Sequence, residues 1–546
     1  MADSAQTLRE PAKTSVTIDR GLLAVLTLFT AVVASHLDVT PIWDAHIYYA
    51  CIEEAVHKSF ELVNFRCVSH PSIFYALLLG VTQYLAPWTP AWLYVVNAAV
   101  GLLSIVAFHR IVRLLYPDRP RYEYALVTAL YGLAPLFVAN AVFLTLDYAA
   151  TALVVLFVYF LLARRPWAAG AVGAAVAFTK ETGGAAVALA AVAFTLAFIV
   201  RPSMPRRARV ERLRGQLPIA IVPAMALLAF VLLVRTSRQF AGWANTYATV
   251  GDIAWGTPLD AWLNTNLADR SMQSFLVDMF VLNFQWLFTT VIVAAIAVHV
   301  FRPIDREPSD ISAPRLPLFG ALLVIGLAYV TTRYRGYNNA RYVLTMTPAL
   351  VATFYGTLLW LVKSGRIRLT YLGGCALLVV VSNFRTVDPV SKAIFGTFEF
   401  GSHQVLDMPS IVGGLKLDSM VYNLEFLQLE YLYGDMIREI RPRPGAVILM
   451  GNAVYNFPPD VDGRTYALTA NPGHVLPLFV SRGNIAPTIL ADHFMREGEL
   501  FYYAAFANAD NDELAALRGY ELVDTRRFNR QGYTLDVYAF RFRFRS

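Results

Sequence analysis

The sequence predicts an all-α polytopic membrane bundle of about eleven transmembrane helices, followed by a small α/β or α+β domain. Three observations carry this. The chain is 57% hydrophobic and only 16% charged, with a mean hydropathy of +0.48, well outside the balance of soluble domains. Apolar runs of roughly twenty residues, the length that crosses a hydrocarbon core, recur between short breaks rich in arginine. After residue 383 such runs stop, and Asp, Asn, Gly, Pro and Arg return.

Residues 1–20 carry Arg9, Lys13 and Arg20 and read as a cytoplasmic N-terminus. The apolar run 21–37 is long for a signal peptide and lacks a clear small-x-small cleavage site, so it is expected to remain as an anchor. Further spans are expected over 92–115, 124–140, 147–163, 167–179, 183–200, 217–234, 275–301, 317–329, 342–361 and 369–383. With this count every loop on the inner side is basic: 110–121, 164–165, 201–214, 302–315 and 363–368. The loop 201–214 alone holds Arg201, Arg206, Arg207, Arg209, Arg212 and Arg214, which the positive-inside rule assigns to the cytoplasm. The arginines behind the net charge of +7 therefore set orientation in the bilayer, and nucleic acid is not an expected partner. An odd number of spans places the C-terminus outside the inner membrane of the cell.

Residues 71–86 are left out of the span count. That run opens with Pro71 and is interrupted by Gly80, Thr82 and Gln83, and including it would invert every later loop. It is expected to lie at the outer interface, as is the amphipathic stretch 45–60, where Tyr48, Tyr49 and Ile52 alternate with Glu53, Glu54 and Lys58. The domains are thus a transmembrane domain over 21–383, with its outer loop at 38–91, and an extracytoplasmic soluble domain over 384–546. In the latter, helices are expected over 417–440 and 512–518, and strands over 446–450, 521–527 and 533–544, with the final Arg-Phe alternation giving one charged face.

The candidate chemistry gathers on the outer side. The first outer loop opens Trp43-Asp44-Ala45-His46-Ile47-Tyr48-Tyr49, which puts a carboxylate at the lipid-water boundary, where it can accept a proton from a hydroxyl or ligate a metal. The structural alternative is that Asp44 caps the helix beginning at Ala45. Asp147 opens a span, where an acid is costly unless it is paired or faces water; otherwise it is that span's N-cap. Lys180 and Glu181 form a charged turn between two alanine-rich spans and either meet a phosphate or pair with each other. Arg333, Arg335 and Arg341, with Tyr342 beside them, sit on an outer loop against the charge rule. Guanidinium forks binding phosphate supply a reason, with anchoring to lipid headgroups as the alternative.

The loop continues with His70-Pro71-Ser72-Ile73-Phe74-Tyr75, and here the chain resembles the GT-C glycosyltransferases, among them the protein O-mannosyltransferases and the lipid A aminoarabinose transferases. In those families an acidic motif follows the first span and a His/Lys-Pro-Pro-Leu-like motif opens an interfacial helix. Asp44 matches the acid and His70-Pro71 the second motif, while Ala45 stands in place of a second acid and Ser72 in place of the second proline. Asp147 after Pro135, the turn at Lys180-Glu181, and Arg341-Tyr342 ahead of Pro348 are similar to later elements of the same families. The resemblance implies a membrane glycosyltransferase that moves a sugar from a polyprenyl-phosphate donor to a hydroxyl of a glycan, lipid or protein acceptor. It implies Asp44 as base with Asp147 as catalytic partner, and substrate contacts from His46, Tyr48, His70, Lys180, Glu181, Arg333, Arg335, Arg341 and Tyr342.

No cofactor is required by this reading. A divalent metal remains open, since Asp44, His46, His70 and Asp147 share the outer side without close ligand spacing. Cys51 and Cys67 fall in one outer loop and are able to form a disulfide in an oxidising exterior, while Cys375 lies within a span. The rival functions are a polytopic transporter or lipid flippase, for which Asp278 within a span is the main sign, and a non-catalytic scaffold with an outer binding domain.

Overall fold

The computed structural model describes residues 19–39, 45, 48, 52, 73–83, 90–199, 206–236, 279–282, 284–301, 340–383, 389–395, 397–400, 403–406, 428–440, 447–450, 467–469, 497–506, 517–530 and 533–543. Its helical part begins with α1 (Arg20–Ala34), α2 (Ile73–Gln83), α3 (Pro90–Leu115), α4 (Arg121–Gly132), α5 (Pro135–Val142), α6 (Leu146–Leu162) and α7 (Pro166–Ala177). It continues with α8 (Glu181–Ile199), α9 (Arg206–Thr236) and α10 (Trp286–Phe301). A 3-10 turn (Ala340–Met346) then leads into α11 (Thr347–Leu361), α12 (Gly365–Ser382) and the short α13 (Pro389–Phe395). Helices lie over every expected span except 317–329, which is outside the described residues, and α2 lies over the expected interfacial run. Among the described residues, Ala91–Leu115, Val343–Leu361 and Gly365–Ser382 are each long and apolar enough to cross a membrane, and α4 with α5 makes a fourth crossing if taken as one bent span. The chain is a membrane protein.

Two expectations are corrected. The span foreseen over 124–140 is not one helix: α4 and α5 meet at a bend of 56°. Pro135 has no N–H to continue the ladder and its ring drives Ala134 into extended backbone, φ −59° and ψ 135°. The Leu133 carbonyl left at the break accepts a bond from Asn383 Nδ2 at 2.9 Å. The basic loop foreseen over 201–214 is helical from residue 206 and runs without a break into the apolar part of α9.

Small residues let the helices close up. A Cβ on Gly101 of α3 would sit 1.8 Å from the hydroxyl oxygen of Tyr148 on α6, and one on Gly170 of α7 would sit 2.6 Å from the Pro218 carbonyl of α9. Backbones that approach this closely gain dispersion contacts, which drive helix association where lipid removes the hydrophobic term. At one end of α3 a buried charge locks four segments together. Glu123, fully buried, accepts from Arg368 Nη2 at 3.0 Å and from Tyr355 Oη at 2.8 Å. Arg368 also donates to the carbonyls of Val362 and Lys363. Nearby, Asp19 caps α1 through the amides of Gly21 and Leu22 and lies 3.3 Å from His109 Nε2.

All of the described strands follow α13. The hairpin β1 (Thr397–Phe400) and β2 (His403–Leu406) precedes α14 (Gln428–Ile440), and then come β3 (Val447–Met450), β4 (Ala467–Thr469), β5 (Leu500–Phe506), β6 (Glu521–Arg530) and β7 (Tyr533–Arg541). The last five form one sheet in the order β4-β3-β5-β7-β6, parallel only between β3 and β5. The expected helix 417–440 is seen from Gln428, and the expected final strand ends at Arg541, short of residue 544. Its alternation is kept at the end: Phe540 and Phe542 are buried, while Arg541 and Arg543 reach Glu521. The hairpin, β4 and β5 are additions to what the sequence predicts.

This part packs onto the helices. Tyr431, Leu432 and Met436 of α14, with Ala504, Phe528, Leu535 and Val537 of the sheet, belong to the same buried cluster as α1, α3 and α11. Tyr431 Oη donates to Asp38 at the exit of α1 at 3.0 Å, and the Arg530 guanidinium covers the Tyr431 ring at 4.7 Å. Asp435, one turn on, accepts from Arg530 at 2.8 Å and also from Arg438. Burial pushes the Asp435 carboxyl up, but these two arginines outweigh it and hold the group below the usual carboxylate range.

Arg368→Ala should lower the unfolding free energy by about 3–5 kcal/mol, because it strands the buried Glu123 charge. The double change Glu123→Leu/Arg368→Met should recover most of that loss in thermal unfolding in detergent. Because the Asp435 carboxyl is lowered in the folded state, its contribution should be complete above the ordinary pKa of about 3.9 and fade as pH falls through the lower folded value. An acid titration of stability in Asp435→Asn should lack that component.

Candidate active site

The site is built at the end of α3 opposite Glu123, where α5 turns into α6. The residue that caps α6 is Thr145, not Asp147: Thr145 is extended (φ −120°, ψ 142°) and its hydroxyl accepts from the Tyr148 amide at 3.4 Å. The same hydroxyl donates to Asn140 Oδ1 at 2.9 Å, and Asn140 Nδ2 is anchored on the Leu136 carbonyl at 2.7 Å. Across the corner, Asn97 of α3 donates to the Ala141 carbonyl at 2.7 Å and accepts from Tyr75 Oη of α2 at 2.8 Å. These bonds occupy backbone groups that a short connection between two helices leaves open. They fix the first turn of α6, and Asp147 stands in that turn.

With its capping role taken by Thr145, the Asp147 carboxylate is available for other partners. Lys180 Nζ donates to Oδ1 at 2.5 Å, and Arg341 Nε lies 3.6 Å from Oδ2. The three side chains are 5%, 2% and 12% exposed, so the cluster is screened very little by water. Lys180 is held in the turn after α7, its amide bonded to the Val176 carbonyl at 3.1 Å and its own carbonyl accepting from Gly184 at 3.0 Å. The preceding Phe178 carbonyl accepts from the Phe74 amide of α2 at 3.0 Å, so α2 is seated on the turn that carries the lysine. Arg341 arrives on the 3-10 turn, which Thr345 ties to Thr151 of α6 at 3.2 Å. Three segments far apart in sequence thus bring one carboxylate and two cations together.

Of the residues singled out in the sequence, Asp147, Lys180 and Arg341 converge. Glu181 opens α8 and Tyr342 follows Arg341 in the 3-10 turn. Tyr48 is helical and buried, together with Ala45 and Ile52 at the spacing of one helix face. Asp44, His46, His70, Arg333 and Arg335 lie outside the described residues, as do Cys51, Cys67 and Asp278. Lys180 bonds Asp147, and the Glu181 side chain lies outside the described residues.

Asn97, Asn140 and Thr145 were not foreseen, although Thr145 two residues before an acid and three before an amide it caps is a recognisable capping signal. Each Asp147 oxygen faces a cation, while Asp44, His46 and His70, the other residues named for a metal, lie outside the described residues. Among the described residues, no group of three His, Cys, Asp or Glu side chains converges.

No protein-family model and no curated protein matches the chain. Solved structures do. ArnT from Cupriavidus metallidurans bound to undecaprenyl phosphate matches with a TM-score of 0.52 at 15% identity, over 96% of this chain and 98% of that one. The apo form of the same enzyme matches with a TM-score of 0.54 at 14% identity, over 95% and 97%. The apo oligosaccharyltransferase of Archaeoglobus fulgidus is more distant, with a TM-score of 0.41 at 13% identity over 66% and 55%. The ArnT match covers most of the chain, and at this identity it shows the fold alone: the chain has a fold similar to that of ArnT.

Proposed function

We propose that this protein transfers a sugar from a polyprenyl-phosphate donor to an acceptor hydroxyl on the extracytoplasmic face of the membrane. The observation that carries this is the buried Asp147–Lys180–Arg341 cluster, one carboxylate against two cations, in a chain with the fold of an enzyme solved with undecaprenyl phosphate. A polyprenyl-phosphate sugar is a phosphodiester with one negative charge, the kind of group that two cations held side by side can bind. In this reading the chain crosses the membrane about eleven times, with its N-terminus in the cytoplasm and residues 384–546 outside.

Asp44 is the base: it takes the proton of the acceptor hydroxyl as that oxygen attacks the anomeric carbon and the bond to the phosphate oxygen breaks. Charge then grows on the departing phosphate. Lys180 and Arg341, already oriented by Asp147, meet that growing charge without having to reorganise, which is where fixed cations act most strongly on rate. Asp147 is a positioning residue here, holding both cations and keeping the free site electrically tolerable. His46, Tyr48, His70, Glu181, Arg333, Arg335 and Tyr342 are the further candidates for contacts to the sugar and the phosphate. The acceptor is a glycan, a lipid or a protein hydroxyl.

The full chain, purified and offered a set of polyprenyl-phosphate sugars, should release polyprenyl phosphate with at least one of them; a folded sample that turns over none counts against the reading. Asp44→Asn should lower kcat by about 10²–10⁴, the usual contribution of a general base. Lys180→Met should cost about a hundredfold or more in kcat. Asp147→Asn removes the carboxylate that both cations face and should lower the melting temperature. Added polyprenyl phosphate should restore it more than it stabilises the unaltered protein, since a ligand that binds only the folded state stabilises in proportion to its affinity. Equal ligand shifts in the two proteins would show that the cations do not bind phosphate.

A further inference from the structure

Arg341 reaches Asp147 from a 3-10 turn of seven residues, Ala340–Met346, that runs directly into α11. Seven residues is long for this conformation, which rarely persists beyond about four because its hydrogen bonds are poorly aligned. Nothing in the turn itself demands it. The stretch Ala-Arg-Tyr-Val-Leu-Thr-Met holds no glycine or proline, and with Ala, Arg, Leu and Met among its residues it is able to continue α11 backwards as α-helix. Met346 already has α-region backbone, φ −88° and ψ −21°.

The reason lies just inside α11, where Pro348 is the buried second residue. In an α-helix continued back past it, the Leu344 carbonyl would need the amide hydrogen of residue 348, which proline lacks, and the ring would press on that carbonyl. Leu344 is fully buried, so water cannot serve the orphaned oxygen. A 3-10 turn serves each carbonyl from three residues on and asks nothing of Pro348 for Leu344. A second constraint acts from α6. The Thr151 hydroxyl donates to the Asp147 carbonyl at 2.7 Å, so its one hydrogen is committed, and in the 3.2 Å contact between the two hydroxyls Thr345 is the donor. Through Thr151 the 3-10 turn is therefore tied to the backbone of Asp147 itself.

We propose that Pro348 is a positioning residue for Arg341: by blocking α-helix at Leu344 it keeps residues 340–346 in the 3-10 form, and that form delivers the guanidinium to the Asp147 carboxylate. The two forms place Arg341 differently. An α-helix rises about 0.5 Å less and turns about 20° less per residue than a 3-10 helix. Accumulated from Thr347 back to Arg341, conversion would draw Arg341 about 3 Å along the axis and swing it about 120° around it, and the 3.6 Å approach to Asp147 Oδ2 would be lost. The part Arg341 plays at a phosphate rests on the transferase reading; its placement by Pro348 does not.

The test uses the full chain in nanodiscs and reads the reaction of Arg341 with phenylglyoxal by mass spectrometry of its peptide. The Arg341 side chain is 12% exposed and should react slowly in the unaltered protein. Pro348→Ala restores the amide hydrogen and should raise that rate by about tenfold or more as Arg341 leaves Asp147, while Arg207, 94% exposed, reacts equally in both proteins. A cooperative melting transition confirms that the variant is folded; should it be lost, Pro348→Val, which also restores the amide hydrogen and keeps more of the buried volume, takes its place. With a donor that turns over, kcat should fall in Pro348→Ala about as far as in Arg341→Met, about a hundredfold. The double variant should lie within about twofold of Arg341→Met alone, since both changes remove one interaction. An unchanged rate of Arg341 modification in the folded variant, or effects on kcat that multiply in the double variant, would overturn the proposal. Faster modification in a protein that turns over no donor would leave the placement of Arg341 standing and remove only its part in the transfer.

Discussion

A carboxylate and two cations with almost no access to water, Asp147 with Lys180 and Arg341, set the terms for the rest of this molecule. Charges cannot be left alone in a membrane bundle, where an unpaired ion costs several kcal/mol, so the segments that carry them must meet. Asp147 is in the first turn of α6, Lys180 in the turn between α7 and α8, and Arg341 in the 3-10 turn before α11. Each of those turns is pinned in its own way. Thr145 and Asn140 hold the first, the Val176 and Gly184 backbone bonds hold the second, and the Thr151–Thr345 contact holds the third.

The other end of α3 offers a contrast within the same chain. Glu123 is matched by one cation, Arg368, and both of its oxygens accept hydrogen bonds. Arg368 Nη1 also donates to two carbonyls, those of Val362 and Lys363. That cluster pairs one carboxylate with one guanidinium, as a structural clamp does. The cluster at Asp147 joins two cations, Lys180 and Arg341, to one carboxylate.

The C-terminal strands are joined to this arrangement rather than appended to it. Their buried residues run into the same cluster as the helices, and the Tyr431 hydroxyl reaches back to Asp38, so α14 is anchored where the chain leaves its first helix. Such a joint fixes the strands against the helices by packing and not by a loose linker.

By itself the sequence determined the class of the fold, because hydrophobic runs and the placement of arginines are local properties that follow from the bilayer. It also marked Asp147, Lys180 and Arg341, each conspicuous as a charge where lipid or the charge rule disfavours one. What it did not carry was their meeting: residues 33 and 194 positions from Asp147 come together only through helix packing, as do Lys180 at its carboxylate and Thr345 at Thr151. The bend at Ala134–Pro135, the replacement of Asp147 by Thr145 as the cap, and the support from Asn97 each depend on two segments at once. The strands β1, β2, β4 and β5 were passed over because short runs carry little periodicity until a neighbour supplies their hydrogen bonds. Local chemistry names the charged residues; only the tertiary structure decides which charges share a site, since the energy of an ion in lipid depends on its partner and not on its neighbours in sequence.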